Sequence, residues 1–74
     1  MMINLTFPDG AVRSFEPGIT GAAIAGGISP SLLKRTGAMA LDGEVHDLAD
    51  PITRDARIEL LPRTDPRCLE LIRH

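Results

Sequence analysis

A chain of 74 residues has room for one small domain, and a domain of that size buries only about 60% of the surface its unfolded chain exposes, so its core is thin and its stability is of order 5 kcal/mol. Eight Lys and Arg against ten Asp and Glu leave a net charge of -2, which excludes a uniformly basic nucleic-acid clamp, while the single cysteine, Cys68, excludes an internal disulfide and a Cys-based zinc site. With two Phe and no Tyr or Trp, the core is expected to be built from Ile, Leu, Val, Met and Ala. No apolar run approaches the roughly 20 residues needed to span a bilayer, and the start lacks the basic and long apolar segments of a secretion signal; a cytoplasmic location is expected, with no membrane partner.

Ile3, Leu5 and Phe7 alternate with Asn4 and Thr6, the period of a half-buried strand. Pro8-Asp9-Gly10 predicts a tight turn, and Ala11 to Glu16 a returning strand with Phe15 inward and Val12 out of phase, so a bulge stays open. After Pro17-Gly18, Thr20 is a plausible helix N-cap for a short helix over Gly21 to Ile28, whose Gly26 and Gly27 mark a fraying end. Ser29-Pro30 restarts a helical turn with Ser29 as cap and Pro30 in first position; Leu32 and Leu33 are predicted to point inward, and Lys34 and Arg35 suit the carboxyl end. Ala38 to Leu41 and Glu44 to His46 flank Asp42-Gly43, a good hairpin signal. Asp47 to Arg54 reads as a loop anchored by Leu48 and Ile52, with Pro51 blocking regular structure. Arg57 to Leu60 alternates cleanly as a last strand ending at Pro62.

Hairpin, helix, then more strands is the order of an α+β, β-grasp (ubiquitin-like) fold. It predicts a mixed sheet of four to five strands with one main helix on one face, and the first and last strands side by side at its centre. The tail differs. Asp65-Pro66 is a helix start, and Cys68, Leu71 and Ile72 share a face that Leu69 widens. So short a helix is marginal alone, and its apolar face, Cys68 included, is expected to pack against a neighbouring domain.

Leu5-Thr6-Phe7-Pro8-Asp9-Gly10, Val12-Arg13-Ser14-Phe15, Ile28-Ser29-Pro30-Ser31-Leu32 and Leu41-Asp42-Gly43-Glu44-Val45-His46-Asp47-Leu48 resemble the TGS domain of threonyl-tRNA synthetases, a β-grasp module. Asp65-Pro66-Arg67-Cys68-Leu69-Glu70-Leu71-Ile72-Arg73-His74 resembles the linker helix that runs into the editing domain of that family. The resemblance implies a TGS domain over residues 1–63 and a linker helix over 64–74. His74 would match the first His of an editing H-x-x-x-H motif, inactive alone. The resemblance also implies a parent enzyme that joins threonine to tRNA with ATP, Mg²⁺ and Zn²⁺ held in other domains, is a homodimer, and uses this segment as an accessory module beside the editing domain, with tRNA as a further partner. By itself the chain is expected to be a monomer without cofactor, metal or catalytic residue. TGS modules also occur in ppGpp synthetase/hydrolases and translational GTPases, which is the alternative host. A sulfur carrier of the same fold would need a carboxyl-terminal Gly-Gly, and this sequence reads Ile72-Arg73-His74.

The remaining candidates are weighed on their residues. His46 reads as a solvated surface histidine, since two histidines without a third ligand make no metal site. Asp42, Glu44, Asp47 and Asp50 could chelate Mg²⁺ or Ca²⁺, but their spacing matches no known loop, and a solvated acidic turn is the expectation. Gly21, Gly26 and Gly27 lack phosphate-loop spacing and are expected to allow close helix–sheet packing or fraying. Arg13 and the pair Lys34-Arg35 are the candidates for nucleic-acid contact, because phosphate binding needs clustered positive charge and no particular sequence.

Overall fold

The structure, a computed structural model, describes residues 1–68. Strands β1 (Ile3–Thr6) and β2 (Val12–Phe15) form the predicted antiparallel hairpin, with Leu5 opposite Arg13 and Thr6 opposite Val12. The Phe7 N–H donates to the Ala11 carbonyl at 2.8 Å, and the Asp9 carboxylate accepts from the Ala11 N–H at 3.0 Å. The pairing is regular, so no bulge is needed for Val12. Opposed residues share a face, and Val12 stands beside Thr6 on the face away from the helices, 61% exposed.

Two residues, Ile19–Thr20 (β3), lead into α1 (Gly21–Ile28). Thr20 caps it as predicted, its hydroxyl accepting from the Ala23 N–H at 3.1 Å. Ser29 joins α1 to α2 (Pro30–Arg35) through its backbone: its N–H donates to the Ala25 carbonyl at 3.0 Å and its carbonyl accepts from the Leu33 N–H at 3.1 Å. Its hydroxyl makes no cap bond, contrary to expectation. The main chain already closes both helix ends, and Pro30 at the first position has no N–H to satisfy. Leu32 and Leu33 are half-buried rather than core residues.

Strand β4 (Thr36–Leu41) starts directly where α2 ends. Asp42 and Gly43, with φ of 51° and 84°, turn it back into β5 (Glu44–His46), the paired left-handed conformation that makes Asp-Gly a two-residue hairpin loop. The segment expected to be a loop contains β6 (Pro51–Ile52), which pairs with β3 as a separate two-stranded sheet, Ile19 opposite Ile52 and Thr20 opposite Pro51. Pro51 does not block this ladder, because a strand this short has an edge where a missing N–H is tolerated. Strand β7 (Ala56–Pro62) completes the main sheet in the order β2-β1-β7-β4-β5. β1 and β7 are its parallel central pair, Leu5 beside Ala56 and Thr6 beside Arg57, and β4 runs antiparallel to β7. This is the β-grasp arrangement, α+β as expected.

The helices cover one face, where Ile3, Leu5, Met39, Leu41, Ala56 and Ile58 close on Ile24 of α1 and Ile52 of β6. Gly21 is what lets α1 approach: a Cβ there would lie 2.6 Å from Met39 Sδ and 3.0 Å from Leu48 Cδ2. On the opposite face Ala38, Ala40 and Leu61 form a second, smaller cluster closed by Cys68. Cys68, expected to face a neighbouring domain, is thus buried within this chain, 1% exposed. The chain reverses after β7 through 63–65, and residues 66–68 begin a helix as Asp65-Pro66 predicted. The rest of the predicted apolar stripe, Leu69, Leu71 and Ile72, lies outside the described residues.

Candidate interaction site

The face opposite the helices is only partly covered. Its lower end carries the 63–68 segment, fastened by the Arg67 guanidinium, which donates to Glu59 at 3.2 and 3.3 Å and to Asp65 at 3.0 and 3.1 Å. Hydrogen bonds from the Arg67 side chain and backbone hold the Asp65 carboxyl below the usual carboxylate range, and the two carboxylates raise the Arg67 guanidinium. Burial pushes the Cys68 thiol up, and its Sγ lies 3.2 Å from the Pro62 carbonyl. The upper end is an open groove of about 590 Å³ between the β1–β2 and β4–β5 turns, floored by Thr6, Ala40, Arg57 and Glu59.

The sequence-predicted site residues are dispersed by this architecture. Asp42 is bound into the fold: its carboxylate accepts from the Arg57 N–H at 2.9 Å and from Arg54 at 2.7 Å, and these two contacts, the first foremost, hold its carboxyl below the ordinary value. Asp47 accepts from the Ala49 N–H at 2.9 Å. Glu44 and Asp50 flank His46 at 3.6 and 3.8 Å. Among the described residues no group of three or more His, Cys, Asp or Glu could hold a metal ion, so the sequence cluster of carboxylates is not a chelating loop. Gly21 is a close-packing glycine, Gly26 sits under Leu33 at 3.3 Å, and Gly27 faces open space. His74 lies outside the described residues.

The candidate cations separate into two regions. Arg13, on the helix face of edge strand β2, places its guanidinium carbon 5.8 Å from the centre of the Phe7 ring. Lys34 and Arg35 occupy the last turn of α2, beside the far end of β7. Arg13 is level with Ala56 and the Lys34-Arg35 pair with Pro62, so about 20 Å of strand length at ~3.3 Å per residue lies between them. Arg63, which spacing gave no reason to single out, joins the pair instead: its N–H donates to the Arg35 carbonyl at 2.9 Å. The sequence signal for that meeting was the strand end at Pro62, which pairs with Thr36.

No helix of the described residues is long and apolar enough to cross a membrane. A comparison with protein-family models finds no match. Among curated proteins the chain is 60% identical over 72 residues to a threonine–tRNA ligase of Allorhizobium ampelinum, 57% to that of Sinorhizobium medicae and 58% to that of Rhodopseudomonas palustris. Each match takes in 97% of this chain and 11% of the relative, so the chain spans about a ninth of the length of the proteins it resembles. On that match, the chain belongs with the threonine–tRNA ligases as a small, domain-sized part of their sequence.

Proposed function

We propose that this chain is the accessory, amino-terminal TGS domain of a cytoplasmic, homodimeric threonine–tRNA ligase, a binding module that helps the rest of the enzyme meet its tRNA and performs no chemistry itself. The observation that carries the reading is the identity of 51–60% to threonine–tRNA ligases over 96–97% of this chain. At that level of identity the whole β-grasp scaffold is shared, so the segment's place in the longer protein transfers with it, as does the adjoining editing domain as its partner. The regulatory module of a ppGpp synthetase/hydrolase or GTPase would need a different host, and no observation favours one.

The parent enzyme's ATP, Mg²⁺ and threonine-selecting Zn²⁺ belong to its other domains in this proposal. The donors described here do not fit a zinc: Cys68 is turned to backbone carbonyls and His46 sits between two carboxylates. His74 is proposed to lead into the editing motif, where a histidine acquires a function only with partners and a positioned substrate.

The test is direct. The full-length protein carrying this segment is expected to charge threonine tRNA with threonine, and the 74-residue chain to show no ATP–pyrophosphate exchange, no charging and no hydrolysis of seryl-tRNA. Turnover by the chain alone, or a full-length protein that charges a different amino acid, overturns the reading.

A further inference from the structure

Seven of the eight cationic side chains lie among the described residues, and the fold accounts for four of them. Arg54 is held by Asp42 at 2.7 Å and Arg67 by Glu59 and Asp65. Arg13 stands over Phe7, and Arg57 lines the open groove beside Asp42. The other three, Lys34, Arg35 and Arg63, are exposed and, among the described residues, have no carboxylate within 4.0 Å. They also meet. The Arg63 N–H bonds to the Arg35 carbonyl, and Thr36 is paired with Pro62, so residues 34–36 and 62–63 run as neighbours about 5 Å apart. The two carboxylates nearest Arg63 along the chain, Glu59 and Asp65, are both engaged by Arg67, which leaves the corner's positive charge uncompensated.

We infer that the Lys34–Arg35–Arg63 corner is a docking surface for the phosphate backbone of double-helical RNA. It supplies three donors on two segments whose backbones are fixed to each other. Both phenylalanines, Phe7 and Phe15, pack against the helix-side core, so the corner presents charge without a stacking platform. That combination contacts phosphates and reads no bases. The flanking Leu32 and Leu33 are half-buried against the domain and offer no side chain for insertion into a lipid surface, which disfavours an acidic membrane as the occupant. A net charge of -2 for the whole chain confines the attraction to this corner. The binding is therefore weak at physiological salt and steeply salt-dependent. The inference rests on the synthetase reading for its choice of RNA, and on the geometry alone for the surface.

Fluorescence anisotropy of the 74-residue chain with a labelled threonine-tRNA transcript, and with an unrelated RNA duplex, tests it between 20 and 150 mM NaCl. Three phosphate contacts predict a log–log salt slope between about -2 and -2.7, a loss of roughly 100-fold across that range. The two RNAs bind alike, because no base is read. The triple variant Lys34→Gln, Arg35→Gln, Arg63→Gln, all at exposed positions, is expected to bind at least tenfold more weakly at 20 mM with a nearly flat slope. Arg13→Gln keeps the parent affinity and slope. The inference is overturned by a triple variant, folded by circular dichroism, that binds like the parent, by no binding of the parent at 20 mM NaCl, or by phosphatidylserine vesicles capturing the chain as strongly as RNA with the same loss in the variant. A full-length protein that fails to charge threonine sinks the synthetase reading and leaves these slopes standing; flat slopes beside normal charging sink the corner alone.

Discussion

Three glycines in α1 allow the same chemical change, Gly to Ala, to be made against three backgrounds. At Gly27 the new methyl meets nothing within 4 Å. There the helical preference of Ala and its smaller unfolded-state entropy are expected to stabilise by about 0.5–1 kcal/mol. At Gly26 the methyl meets only the tip of Leu33 at 3.3 Å, a half-buried side chain that gives way, and the two effects roughly cancel. At Gly21 it falls 2.6 Å from Met39 Sδ and 3.0 Å from Leu48 Cδ2. Met39 is fully buried and has nowhere to move without lifting α1, so an overpacking cost of about 1–3 kcal/mol outweighs the helical gain. At roughly 4–8 °C per kcal/mol for a domain of this size, Gly27→Ala raises Tm by a few degrees and Gly21→Ala lowers it by roughly 5–15 °C. Thermal melts followed by circular dichroism, with urea titrations to check that m is unchanged, measure all three. A Gly21→Ala protein as stable as the parent, or a Gly27→Ala protein clearly less stable, refutes the idea that contact with Met39 sets the height of α1 over the sheet.

The Asp42 and Asp65 carboxyls titrate below their ordinary 3.8 in the folded state. Their contribution is fully present above the unfolded value and is lost as the pH falls through the depressed folded one. The double variant Asp42→Asn, Asp65→Asn is therefore expected to lose less stability than the parent between pH 5 and pH 2.5 in urea titrations, and an unchanged acid slope refutes it. The Cys68 thiol, buried with its pKa raised, is expected to react with a thiol reagent at pH 8 at least tenfold more slowly in buffer than in denaturing urea. Arg67→Ala speeds that reaction by loosening the 63–68 segment; equal rates in the folded parent and the variant contradict the fastening role of Arg67.

What the sequence made legible was local. The period of Ile3, Leu5 and Phe7, the turn at Pro8-Asp9-Gly10, the Thr20 cap, the Asp42-Gly43 loop and the alternation after Arg57 each act over a few residues, and each reappears in the structure. The order of those elements was enough to place β1 beside β7. What was not legible depended on distant partners. The β3–β6 ladder is two residues long on each side, too short for any periodicity, and Pro51 argued against it. The burial of Cys68 required knowing that the outer face of the sheet carries Ala38, Ala40 and Leu61, which their alternation with Met39 and Leu60 only hints at. The candidate site divided in the same way. The Lys34-Arg35 pair was visible as adjacent letters, whereas its meeting with Arg63 and its separation from Arg13 are consequences of sheet order.

The central parallel ladder has a consequence for how such a protein is made. Its two strands come from opposite ends of the domain, so a ribosome synthesising at about 5–20 residues per second delivers the hairpin and both helices before their common partner exists. An isolated two-stranded hairpin is at best marginal in water, and helices as short as α1 and α2 do not persist alone. The nascent chain thus stays open until Leu61 has left the exit tunnel, and then closes in one step around the strand that arrives last.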